Sequence, residues 1–132
     1  MASQLKVDAL TGVTTAGSIS VTGEGNSTTT NLQQGLAKAW IHFEGDAATV
    51  SVLDGINHAS ISDLGSGRYS VTFTNSFGNA YYASNVTGST TRAGSNDTDS
   101  HATGGITYEF FTDTGGFADP KQGQSSIHGD LA

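Results

Sequence analysis

The run Leu64-Gly65-Ser66-Gly67-Arg68-Tyr69-Ser70-Val71-Thr72-Phe73-Thr74 constrains the fold more than any other part of the chain. Tyr69, Val71 and Phe73 alternate with Ser and Thr, which is the period of a strand with one buried face. The glycines ahead of it supply the backbone freedom of a tight hairpin. Comparable segments recur at residues 48–53, 58–62, 80–87 and 105–112, with a short last one near 125–128, a spacing that suits a sandwich or barrel. Long runs of helix formers are absent, and heavy use of Gly, Ser, Thr and Asn makes the chain polar without making it highly charged. An all-β fold follows.

The segment from Asn31 to Gly45 reads as one helical turn, capped by Asn31 and ended by Gly35, then a strand. Ala39, Ile41 and Phe43 share one face of that strand, with Trp40 and His42 on the other. Both faces are large, so both are expected to be covered, one by an opposing sheet and the other by a neighbouring subunit or a loop. Residues 1–31 differ. They hold no aromatic residue, and their apolar side chains form short alternations, Leu5 with Val7 and Ile19 with Val21, between turn-rich stretches. Such a segment cannot bury enough surface to order itself. Either it is a leader without structure of its own, or its strands pair with those of sister copies around a common axis. The expected organisation is an amino-terminal stalk or strand-exchange segment over residues 1–31 and a β-sandwich-like knob over residues 32–132.

Five basic against twelve acidic residues give a net charge of −7, and Lys6, Lys38, Arg68, Arg92 and Lys121 are scattered, which argues against a nucleic-acid partner. No window is apolar enough to insert in a membrane, and the first residues lack the basic and apolar regions of a secretion signal, so synthesis in a cytoplasm is expected. Without cysteine there is neither a disulfide framework nor a thiolate metal site.

Residues 88–104 form the longest stretch without an apolar pattern and read as a long loop or bent hairpin, the segment most suited to outside contact. Arg92, Asn96, Asp97, Asp99 and His101 are its candidate receptor-binding residues. Leu5, Val7, Ile19, Val21, Trp40 and His42 are the candidate oligomer contacts. Catalytic signatures are missing: no nucleophile elbow and no phosphate-binding glycine loop occur, and Glu24, Glu44, Glu109 and the aspartates cannot be paired across a cleft from sequence. His42, His58, His101 and His128 lack the close spacing of a zinc site, although a trimer axis would turn His101 or His128 into three ligands. Asn96-Asp97-Thr98-Asp99 has only half the features of a calcium loop. No enzyme activity, cofactor or metal is expected. Tyr81, Tyr82 and Tyr108 would stack on sugars if they projected from loops, but their strand patterns favour core or interface positions.

Three stretches carry a resemblance: Asn31 to Phe43 with its Ala-Lys-Ala-Trp, Ala59 to Phe73 with its Gly-x-Gly hairpin into an aromatic strand, and Asn79-Ala80-Tyr81-Tyr82-Ala83. Over about residues 31–85 the chain resembles the carboxy-terminal domains of tailed-phage fibre proteins, especially those of marine and cyanobacterial phages, and its ending from His128 to Ala132 is similar. The resemblance implies a virion protein: a trimer of β-sandwich-like knobs after a narrow intertwined stalk, joined to other virion proteins and used in adsorption, with a host surface glycan as a possible partner. Such domains normally end much longer chains. Here about thirty residues precede the domain, so the amino-terminal strands would themselves dock to the particle, or subunits would join by strand exchange. The rival readings are a polymerising fibre or decoration protein that touches no receptor, a carbohydrate-binding module, and a glycan depolymerase.

Overall fold

A computed structural model describes residues 4–12, 19–23, 28–89, 91–97 and 99–131. The chain divides into two compact units, residues 1–36 and residues 37–132. Its architecture is all-β, with every strand pair antiparallel.

In the first unit, β1 (Ser20–Thr22) pairs with β2 (Thr29–Asn31), and the Gly23 N–H donates to the Thr28 carbonyl at 2.8 Å. The helical turn α1 (Leu32–Gly35) follows, tied back by the Leu32 N–H donating to the Ile19 carbonyl at 2.9 Å. Leu5 and Val7 were expected in a strand, yet residues 4–12 carry none. A strand exists only where a neighbour completes its ladder, and alternation by itself supplies no such neighbour. Residues 13–18 and 24–27, which belong to the expected turn-rich stretches, lie outside the described residues.

The second unit contains two four-stranded sheets. The first has the order β4-β3-β10-β7, built from β3 (Ala39–Glu44), β4 (Ser51–Ile56), β7 (Ala83–Gly88) and β10 (Gln122–His128). The second has the order β5-β6-β9-β8, built from β5 (Ser60–Gly65), β6 (Arg68–Thr72), β8 (Ala93–Asn96) and β9 (Gly105–Phe111). Inward residues of the central strands meet in one core. The Phe43 ring lies 5.0 Å from Tyr69 and 6.0 Å from Phe110, so β3 of one sheet touches β6 and β9 of the other. A second aromatic group joins Phe73, Phe77 and Tyr82 at 4.6–5.9 Å.

Alternation explains these placements. Ala39, Ile41 and Phe43 are buried while Trp40, His42 and Glu44 are half-buried, the two faces anticipated for β3. The hairpin between β5 and β6 turns through Gly65 (φ 120°) and Gly67 (φ 68°), values that a residue with a Cβ rarely adopts. Residues 88–104, expected as a long loop or a bent hairpin, contain the strand β8, which pairs with β9 from Ala93↔Phe111 to Asn96↔Tyr108. β8 is too polar to announce itself. The last strand is also longer than expected, starting at Gln122, because two of its inward positions are Gly123 and Ser125 rather than large apolar residues.

Gly123 is opposite Phe43 in the ladder, and a Cβ built on it would clash with the edge of the Phe43 ring at Cζ. The ring fills the place of the missing side chain. Gly123→Ala should therefore lower unfolding free energy by about 1–3 kcal/mol, the usual range for overpacking, as measured by urea denaturation. Across the core, the buried Ser125 hydroxyl donates to the Tyr108 hydroxyl at 2.6 Å. Tyr108→Phe alone strands that hydroxyl and should cost about 1–3 kcal/mol, whereas Tyr108→Phe with Ser125→Ala should recover part of the loss. A double-mutant cycle that proves additive would remove the coupling.

Candidate functional site

The outward face of the first sheet presents two cross-strand rows. In one, Trp40 of β3 stands opposite Ser126 of β10, which stands opposite Asn85 of β7. In the next, His42 stands opposite Gln124, and Gln124 opposite Thr87. Directly opposed residues in an antiparallel sheet point to the same side, so all six share the face away from Ile41, Ser125 and Val86. They line a groove of about 370 Å³. The six side chains are an indole, two amides, two hydroxyls and an imidazole, Ile41 and Ser125 complete the lining, and no lining residue is formally charged. The His42 Nε2 is shut from solvent and has no hydrogen-bond partner among the described residues. Beside His42 the pairing of β3 with β4 slips by one residue, a bulge that leaves Leu53 outside the ladder and bends the sheet next to the groove.

The candidate receptor-binding residues are placed differently. Arg92 donates through Nε to the Asp119 carbonyl at 3.3 Å. Asn96 belongs to β8 and donates through Nδ2 to the Ser84 carbonyl at 3.4 Å. Asp97 pairs with Arg68 at 3.0 Å and accepts the Asp99 N–H at 3.2 Å, and Arg68 also pairs with Glu109 at 3.1 Å. The His101 ring lies 5.1 Å from that of Tyr82. Four of these five side chains thus make contacts within the fold, while the Asp99 side chain is exposed. They are not gathered in one patch. Arg92 and His101 flank opposite ends of the seven-residue β9, with roughly 20 Å of strand between them.

Among the amino-terminal candidates, Leu5, Val7 and Val21 are exposed and Ile19 is half-buried. Of the tyrosines weighed as sugar platforms, Tyr82 and Tyr108 are buried, whereas Tyr81 is 95% exposed, its N–H held by Asn79 Oδ1 at 2.8 Å. No three His, Cys, Asp or Glu side chains among the described residues stand close enough to hold one metal ion. Sequence reasoning found Trp40 and His42 but missed Asn85, Thr87, Gln124 and Ser126. The available signal was the outward alternation Gln122, Gln124, Ser126, His128, hidden because the intervening positions lack an apolar run.

Below the sheets, the Tyr69 hydroxyl donates to Asp119 Oδ1 at 2.6 Å and stands 2.9 Å from the Gly45 carbonyl. The same carboxylate oxygen accepts the Gly67 N–H at 2.6 Å, so one aspartate fixes both the hairpin and the buried phenol. Burial first, then the hydrogen bond and negative charge of Asp119, hold the Tyr69 hydroxyl protonated far above the usual tyrosine range. Burial likewise raises Tyr108 and Tyr82, against opposing hydrogen bonds from Ser125 and at Ala102.

Comparison with protein-family models, with curated proteins and with solved structures finds no match to this chain.

The tyrosine environments fix the sign of an alkaline effect. Each of the three has a folded-state pKa above its unfolded value of about 10, so the stabilisation is complete below that pH and is lost as pH rises beyond it. Urea midpoints should fall steadily above roughly pH 10, and tyrosinate absorbance from Tyr69, Tyr82 and Tyr108 should develop only with unfolding. Titration of all four tyrosines in the folded protein would contradict this placement.

Proposed function

We propose that the chain is a virion structural protein, a tail-fibre or fibre-tip subunit of a bacterial virus that assembles as a homotrimer and presents a host-recognition surface. The observation that carries this reading is the amino-terminal unit, whose hairpin has three residue pairs and whose Leu5, Val7, Leu10 and Val21 are all more than half exposed. Burying a side chain of this size is worth roughly 1.5–3 kcal/mol, so a surface shared among copies gains what the isolated unit forgoes. Strands completed by sister chains form the intertwined stalk, and residues 37–132, with their own core, form the β-sandwich-like knob. The subunit is made in the host cytoplasm and resides in the virion with other virion proteins. Its work is mechanical and adhesive rather than catalytic.

A second reading, a self-assembling decoration or fibre protein without a receptor, rests on the same exposed leader. Mass measurement separates the two: a closed trimer is expected, and an open series of masses would indicate a polymer. Deleting residues 1–28 should leave a folded monomer with an unchanged urea midpoint for the knob. A full-length chain that stays monomeric at high concentration would overturn the assembly proposal.

A further inference from the structure

We infer that the groove on the outward face of the first sheet is a binding site for a neutral saccharide, with Trp40 as the stacking platform and Asn85, Thr87, Gln124 and Ser126 as hydrogen-bonding partners. Its role as the host-contacting surface rests on the fibre reading above, whereas the binding itself does not. The chemistry of the wall selects the ligand. Amides and hydroxyls offer donors and acceptors together, as a sugar does, and an indole offers an apolar face for the C–H side of a pyranose ring. Opposed residues on neighbouring strands stand roughly 4.5–5.5 Å apart, so the two rows make a grid of polar groups beside one aromatic ring. The groove's volume lies within the span of roughly 300–1,000 Å³ usual for small-ligand sites.

Two further observations point the same way. None of the six side chains hydrogen-bonds another group among the described residues, so the exposed groups of Asn85, Thr87 and Gln124 are open to a ligand. Charge is the other. A protein of net charge −7 repels anions, while a groove without a charged wall offers nothing specific to a cation. Asp54, which stands opposite His42 on β4, turns its Oδ1 to the Gly55 N–H at 2.8 Å. A second copy of this chain is the competing occupant, the role expected of Trp40 and His42 from sequence. Its test is whether Trp40 emission changes with protein concentration when no sugar is present.

Trp40 is the only tryptophan, so its emission reports on the groove alone. The full-length protein is titrated with short neutral gluco-, galacto- and manno-oligosaccharides, with sialylated oligosaccharides as anionic controls, and the mass of each sample is recorded. A saturable emission change with at least one neutral sugar and none with the anionic controls is expected, with little dependence on salt from about 0.05 to 0.5 M. Gln124→Ala and Asn85→Ala, both at exposed positions, should each weaken binding about fivefold to tenfold without moving the melting temperature. Trp40→Ala should abolish capture on beads coated with the bound sugar. No saturable change with any neutral sugar overturns the inference, as does emission that shifts with protein concentration in the absence of sugar, which marks a second copy in the groove. A trimer that binds no sugar refutes the inference alone, and a monomer that binds sugar refutes the fibre reading alone.

Discussion

Phe43 lying over Gly123 is the contact on which the second unit depends. Phe43 belongs to a central strand of the first sheet, and the missing side chain on the next strand lets its ring spread toward β10 while still meeting Tyr69 and Phe110 of the other sheet. Tyr69 and Phe110 in turn pack nearly edge to face, 5.8 Å apart. Three interlocked rings leave little choice in how the sheets approach, because cores are packed to crystal-like density and respond to a single methyl group. One consequence is polar. Burying Tyr69 completely carries its hydroxyl into the interior, where it must find a partner, and Asp119 and Gly45 supply it. The segment around Asp119 is thus held against the Gly65–Gly67 hairpin by a requirement that begins in the aromatic core.

The opposite end of the core closes by the same logic. Phe73, Phe77 and Tyr82 form the second aromatic group, and the Tyr82 hydroxyl stands 3.1 Å from the Ala102 carbonyl and 3.0 Å from that of Gly105. The turn before β9 is anchored through this phenol. Ser100 adds a second tie, accepting the Thr107 N–H at 2.9 Å while its hydroxyl stands 2.8 Å from the Asp97 carbonyl. A stretch with no apolar periodicity is therefore ordered by polar contacts, with Arg68 between Asp97 and Glu109 completing the set. These ion pairs are partly exposed, so their worth lies more in fixing the path of the chain than in stability.

This contrast marks what a reading of the sequence can reach. Strands β3, β6 and β9 were legible because Ala39-Ile41-Phe43, Tyr69-Val71-Phe73 and the run from Ile106 to Phe111 carry large apolar residues at strand spacing. The hairpin glycines were legible because only such residues accept the backbone angles it needs. Strand β8 was not legible, since Ala93-Gly94-Ser95-Asn96 has no apolar face, and Gly94 is wanted for its smallness, a Cβ there falling 2.9 Å from Val86. Half of β10 was hidden for a related reason: its inward positions contribute absence at Gly123 and a hydroxyl at Ser125, and both make sense only opposite Phe43 and Tyr108. The groove shared that fate. Trp40 and His42 stood out as large outward residues, but the polar rows beside them are assembled by register from three strands distant in sequence.

The two sheets differ on their outward faces although they share one core. On the second sheet, Arg68 and Glu109 stand opposite each other in the ladder and are joined by an ion pair, while the segment at residues 97–100 covers Thr107 with backbone and side-chain hydrogen bonds. The charged groups of that face are thus paired within it. On the first sheet the six groove residues are neutral, their side chains make no such bonds among the described residues, and a bulge bends the sheet beside them. The proposed saccharide site rests on that contrast, an indole set beside amides and hydroxyls that the sheet leaves unbonded, rather than on any motif.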